Sequence, residues 1–137
     1  MTTLENKAIA RGFFESYAQN NMDKNFDEYI AIDLVNHSMG GGFDREKWKA
    51  FEKTVLAALS DFKVTVVEQV AENEKVVTHF IMEGKHTGEF AGMPASGNHI
   101  KLEAISIDLI ENNKIVEHLS IADFTGFMQQ FAKKQVA

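Results

Sequence analysis

Apolar residues recur first every four positions along the chain and later every two. Ile9, Phe13 and Tyr17 lie four apart with Phe14 beside them, the stripe of an amphipathic helix over 4–20. Asn20-Asn21 closes it. A shorter helical stretch is expected around 25–32, followed by a loop over 33–43 carrying Asn36, His37 and Gly40-Gly41-Gly42. Asp44 has the chemistry of an N-cap for a third helix over about 45–60. Phe43 and Trp48 stand at the flanking positions of a hydrophobic staple around it. Trp48, Phe51, Val55 and Leu59 form the buried stripe of this helix. After Ser60-Asp61 the period falls to two: Phe62, Val64 and Val66 alternate with Lys63 and Thr65, as in a half-buried strand. Further strands are expected over about 75–87, 99–110 and 115–122. Polar turns at 72–75 and 111–114 and a Gly-rich loop up to Asn98 separate them. Phe124, Phe127, Met128 and Phe131 mark a short closing helix.

Helices first and strands afterwards give the α+β class. The expectation is one domain over 1–137: a curved antiparallel (mixed) sheet with N-terminal helices on its concave face and a short C-terminal helix. Helices laid across a strongly curved sheet leave a cone-shaped cavity for a small ligand.

Composition narrows the chemistry. The 137 residues hold no cysteine, so no disulfide, thiolate metal site or thiol nucleophile is available. The net charge is −6 with the two signs interspersed, and no basic stripe is present to neutralise phosphates or an anionic membrane. No segment reaches the ~20 apolar residues of a membrane span. The first residues lack a basic and apolar leader pattern, so a cytoplasmic location is expected. Eleven Phe and six Met suit a core, and suit equally a pocket for flat apolar ligands.

Five histidines are present, at 37, 79, 86, 99 and 118, none in a helix-borne metal pair. GxSxG, GxGxxG and P-loop patterns are absent. No cofactor and no metal are therefore expected, which leaves proton transfer by carboxylates and imidazoles. In the last strand Ile115, Glu117, Leu119, Ile121 and Asp123 share one face by alternation, and Val116, His118, Ser120 and Ala122 share the other. If the Leu119-Ile121-Asp123 face is concave, Asp123 becomes a desolvated carboxylate with a raised pKa. Asp123 also has the position of a helix cap. His37 lies on a loop next to three glycines and reads by itself as a solvated loop residue. His86 either closes its strand or faces the cavity mouth. His118 reads as an interface or surface residue, and His79 and His99 as structural or exposed.

The stretch Gly84-Lys85-His86-Thr87-Gly88-Glu89-Phe90-Ala91-Gly92-Met93-Pro94-Ala95-Ser96-Gly97 resembles the G-T-H-x-G-x-F-x-G-x-P-P-T-G loop of the SnoaL-like polyketide cyclases, the family that includes ester cyclases. Asn113-Lys114-Ile115-Val116-Glu117-His118-Leu119 is similar to that family's G-K-I-x-E-H-W. Asp123-Phe124-Thr125-Gly126-Phe127-Met128-Gln129-Gln130-Phe131 is similar to its D-x-x-G-x-x-x-Q-L. Asn36-His37 suits its early N-H position. The resemblance implies a ketosteroid-isomerase-like cone and a homodimer through the outer sheet face. It implies cofactor-free acid/base chemistry on a small apolar, aromatic or polyketide-like molecule, with an enolate closing a ring by aldol attack. It puts the catalytic aspartate at Asp123, with His37 polarising a carbonyl. Phe13, Phe14, Tyr17, His86, Met93 and Phe127 would shape the pocket. Leu119 stands where the family has tryptophan and would reshape it. A non-catalytic carrier of small apolar ligands on the same fold is the alternative function.

Overall fold

The structure is a computed structural model, which describes residues 2–19 and 21–132. Four α-helices, α1 (Thr3–Glu15), α2 (Met22–Tyr29), α3 (Arg45–Ala58) and α4 (Phe124–Ala132), accompany five strands. These are β1 (Ile30–Asn36), β2 (Leu59–Glu72), β3 (Lys75–His86), β4 (His99–Glu111) and β5 (Lys114–Ala122). The spatial order is β1-β5-β4-β3-β2. β2 to β5 form an antiparallel meander, and β1 joins β5 in parallel. The class is α+β with a mixed sheet.

Local chemistry explains the ends of these elements. Thr2 and Glu5 form a reciprocal capping box on α1. Asp44 accepts from the Lys47 N–H at 2.9 Å and starts α3. Asn112 and Asn113 both take positive φ, 51° and 65°, the mirror-image turn that matches the twist of the β4–β5 hairpin. The helix expected over 4–20 divides into α1 and a 3-10 turn over Ser16–Gln19; Asn20 lies outside the described residues.

Two local expectations are corrected. Residues 30–36 are a strand rather than the end of a helix and a loop. Ile30 pairs with Ile115 and Asn36 with His118, a contact across more than eighty residues that no local period encodes. Second, β5 carries a bulge. Ile110 faces Ile115 and Leu109 faces Glu117, which leaves Val116 as the extra residue. The bulge switches the inward phase, so that Ile115 and then His118 are buried.

The helices cover the concave face. Phe13 meets Phe26 and Trp48 edge-on, and Phe14 stacks on Phe80 of β3 at 4.4 Å, which locks α1 to α2, α3 and the sheet. At the other end of the sheet Phe90, Phe127 and Phe131 pack together and close α4 over the cone.

Candidate active site

Between α3, α4 and the concave sheet lies a cavity of two lobes. Its inner lobe, about 50 Å³, is walled by Phe14, Tyr17, Val55, Phe80, Met82 and Leu102. Its outer lobe, about 230 Å³, adds Asn36, Ser38, Met39, Phe43 and Met128. Trp48, Phe51, Glu52, His118, Ser120, Phe124 and Phe127 line both. The polar groups Glu52, His118 and Ser120 therefore form a belt where the lobes meet, in walls that are otherwise mostly apolar apart from Asn36, Ser38 and the Tyr17 hydroxyl.

The inward face of β4 reads Ile100, Leu102, Ala104, Ser106, Asp108, Ile110. Asp108 is fully buried. Its Oδ1 lies 2.6 Å from His118 Nδ1, across the β4–β5 ladder. The Ser106 hydroxyl donates to its Oδ2 at 3.1 Å. A carboxylate held this way makes His118 keep its proton on Nδ1 and leaves Nε2 as the acceptor. Nε2 lies 2.7 Å from Ser120 Oγ, so the serine hydroxyl donates to it. The Trp48 ring stacks on the imidazole at 4.2 Å and 15°, which fixes the ring plane. Trp48 Nε1–H also donates to Glu52 Oε1 at 3.2 Å. One indole thus links both titratable groups. Desolvation pushes the Glu52 carboxyl up to about 7, against a smaller opposing effect of the Trp48 hydrogen bond. Burial likewise holds the Tyr17 phenol well above its ordinary value, with further raising contributions from Glu52 and Asp108, so Tyr17 presents a neutral hydroxyl.

The structure gathers some of the residues singled out from sequence and disperses others. Phe14, Tyr17 and Phe127 line the cavity. Phe13 is packed behind it among the helices. His86 is fully buried at the end of β3, with Nδ1 against Ser96 Oγ at 2.8 Å and its ring edge-on to Phe131; it pins the Gly-rich loop and stands off the lining. Met93 closes a small bridge with Phe90 in that loop. Leu119 faces outward opposite Ile107.

Asp123 is exposed, and its Oδ1 accepts the Gly126 N–H at 2.9 Å. It caps α4 instead of lining the cavity, because the β5 bulge turns His118 and Ser120 inward and the Leu119-Ile121 face out. His37 is exposed and pairs with Glu117 at 2.7 Å on the outer side; its neighbours Asn36 and Ser38 are the ones that face the cavity. His118 is 3% exposed rather than at the surface. His79 and His99 pair with Glu103 and Glu83.

Asp108 and Glu52 were not singled out, although each left a trace. Asp108 interrupts an alternating apolar run, and Glu52 lies one helical turn after Trp48 on the stripe side of α3. Among the described residues no group of acidic and imidazole side chains could hold a metal ion, and no helix is long and apolar enough to cross a membrane.

Comparison with known proteins places this geometry. A family model described as SnoaL-like polyketide cyclase matches residues 8–131. Nogalonic acid methyl ester cyclase of Streptomyces nogalater is 28% identical over 108 residues, 76% of this chain and 81% of that protein. The structure of IdmH from Streptomyces antibioticus, described as a candidate polyketide cyclase, is 25% identical with a TM-score of 0.79. The match covers 93% of this chain and 99% of that one. AclR from Streptomyces galilaeus shares the fold at a TM-score of 0.87 and 18% identity, over 99% of this chain and 86% of that one.

Proposed function

Since the chain belongs to the SnoaL-like polyketide cyclase family, we propose that it moves a proton next to a carbonyl and closes a ring by intramolecular aldol-type attack. The observation that carries this reading is the pairing of two unlike proton-transfer groups in one apolar cavity. His118 is a base kept in a single tautomer by Asp108. Glu52 is a carboxyl that desolvation keeps protonated up to about pH 7. An acid and a base placed together in one largely apolar cavity are what such chemistry needs.

A carbonyl compound seated across the two lobes brings an acidic C–H to His118 Nε2, where it displaces the Ser120 hydroxyl. Nε2 takes the proton, the C–H electrons pass to the carbonyl oxygen, and the buried Asp108 carboxylate stabilises the imidazolium. The enolate carbon attacks a second carbonyl of the same molecule. The alkoxide formed takes the Glu52 proton, and return of the His118 proton to Glu52 through water resets the pair. The apolar walls keep water from the enolate. Asp123, at the position of the family's aspartate, acts here as a positioning residue. It starts α4, whose Phe124 and Phe127 close the cavity. The substrate class is a small apolar, carbonyl-rich molecule of polyketide type, by likeness to the ester cyclase above.

The test is α-C–H exchange and ring closure of aromatic β-dicarbonyl methyl esters in deuterated water, followed by NMR. His118→Gln and Glu52→Gln each lower the rate by about a hundredfold or more, and Asp123→Asn by less than about tenfold. The reverse ranking, with Asp123→Asn inactive and both others active, returns the chemistry to Asp123.

The outer sheet face supports a homodimer. Ile105 and Ile121, 42% and 55% exposed, are cross-strand partners, beside the pair Ile107 and Leu119. An apolar sheet face of this kind suits a second copy. Light scattering should give a dimer for the unmodified chain and a monomer for Ile121→Lys, whereas a monomeric unmodified chain removes this reading.

A further inference from the structure

We propose that the same cavity is a serine acyl-transfer site, in which Ser120 attacks the carbonyl of small apolar esters, His118 is its base and Asp108 orients that base. This goes beyond ring closure, because a C–O bond is exchanged and no C–C bond is made.

The geometry is that of an activated hydroxyl. Ser120 Oγ and His118 Nε2 are 2.7 Å apart, and His118 Nδ1 and Asp108 Oδ1 are 2.6 Å apart. Both distances fall within the range for a nucleophile, its base and the base's orienting group. Asp108 cannot turn away, because Ser106 holds its second oxygen and no part of it reaches solvent. His118 cannot tilt freely under the Trp48 ring. Ser120 lines both lobes, so an ester seated there meets Oγ directly.

A second, independent observation concerns the oxygen that would become negative. Asn36 lines the outer lobe with Ser120. Its Oδ1 accepts the Ser38 N–H at 2.8 Å, which directs Nδ2 the other way, and Nδ2 is buried with no hydrogen-bond partner. A buried amide donor left unpaired is costly; Nδ2 is sealed from solvent beside the outer lobe, so it reaches a bound oxygen only after a local turn of the side chain. Ser38 stands beside it. Its Oγ accepts the Ser120 N–H at 2.9 Å, so its own hydroxyl proton remains to be donated. Ser38 supplies a neutral donor for an oxyanion, with the unpaired Asn36 amide beside it.

In the acylation step the Ser120 Oγ–carbon bond forms as the hydroxyl proton passes to His118 Nε2 and the carbonyl electron pair moves to oxygen. Collapse breaks the ester C–O bond, and the leaving oxygen takes the proton from His118. Water then attacks the acyl carbon, gives a proton to His118, and releases the acid as Ser120 Oγ regains that proton. The fitting substrates are short acyl esters of phenols or small alcohols, with the apolar acyl chain in the inner lobe.

The full chain is assayed with para-nitrophenyl acetate and butyrate, and is separately treated with an alkyl fluorophosphonate and mapped by peptide mass spectrometry. The expected results are a nitrophenolate burst stoichiometric with the protein and a phosphonyl adduct on Ser120. Ser120→Ala loses the adduct and slows hydrolysis by about a hundredfold or more. The unmodified protein identifies its own nucleophile, so the test does not depend on a variant that folds. An adduct elsewhere, no adduct, or hydrolysis unchanged in Ser120→Ala overturns the inference. Carbon-acid exchange without a Ser120 adduct overturns it and leaves the cyclase reading in place. An adduct without exchange does the opposite.

Discussion

Replacing Glu52 with glutamine should stabilise this protein and, if the proposed chemistry holds, disable it. The cause is the carboxyl's position between two apolar lobes. Its pKa of about 7 lies well above the ~4.3 of an unfolded glutamate, and at 1.36 kcal/mol per pH unit that gap amounts to about 4 kcal/mol. Glu52 is only partly buried by area, and its open part faces the cavity; allowing for water there brings the expected effect to about 2–3 kcal/mol. The sign follows from proton binding. Below pH ~4 both the folded and unfolded chains hold the proton, and Glu52 adds no pH dependence. Between pH ~4 and ~7 the unfolded chain releases it while the folded one keeps it, so stability falls as pH rises, and above ~7 the deficit is constant. Glutamine has no charge to desolvate, and its Oε1 can still accept from Trp48 Nε1. Urea unfolding of both proteins from pH 4 to 8.5 should give curves that meet at the acid end. At the alkaline end they should separate by about 2–3 kcal/mol in favour of the variant, with m unchanged. In melting temperature the separation is on the order of 10 °C for a chain of this size. Exchange activity moves the other way, as expected where a strained functional group is removed. A separation that is the same at every pH would refute the reasoning. Glu52 would then be ionised and hydrated in the folded protein, and unable to donate a proton near neutrality.

His118→Leu leaves the buried Asp108 with Ser106 alone, and the unfolding free energy should drop by about 3–5 kcal/mol near neutral pH, as read by urea denaturation. Asp123→Ala removes the cap of α4 and should cost about 1 kcal/mol in the same assay, with a small loss of helical circular dichroism. Gly88→Ala puts a Cβ within 2.7 Å of the Ala57 carbonyl oxygen. The N–H groups of Thr87 and Gly88 both bind the Ala58 carbonyl there, so the backbone has little room to yield. A loss of about 1–3 kcal/mol is expected, visible as a lower urea midpoint.

Most of the fold was legible because its signals are local. The stripe of α1, the Asp44 cap, the alternation in β2 to β5 and the Asn112-Asn113 turn each depend on residues within one or two turns of chain. The motifs that resemble the cyclase family are likewise contiguous. The site was less legible. Alternation back from Asp123 correctly sets it opposite His118, but the Val116 bulge breaks the phase between Ile115 and His118, so the buried Ile115 did not reveal that the His118-Ser120 face is the concave one. Asp108 and His118 lie ten residues apart on opposite arms of a hairpin, and only the pairing register puts them side by side. Residues 30–36 held too short a pattern to be read as a strand without their partner, β5.

By itself, then, the sequence determined the element types outside 30–36, the α+β order, the cavity's apolar character and the family, since period, caps and contiguous motifs act over short range. Tertiary structure alone decided which strand face is concave, and with it the exchange of Asp123 and His37 for Glu52, His118 and Ser120 as the groups at the cavity, with Asp108 buried behind His118. The physical reason is that a side chain's direction in a sheet has a period of two, so a single extra residue in β5 inverts it. The polarity of a site depends on which strands and helices meet across the cavity, and those contacts span the length of the chain.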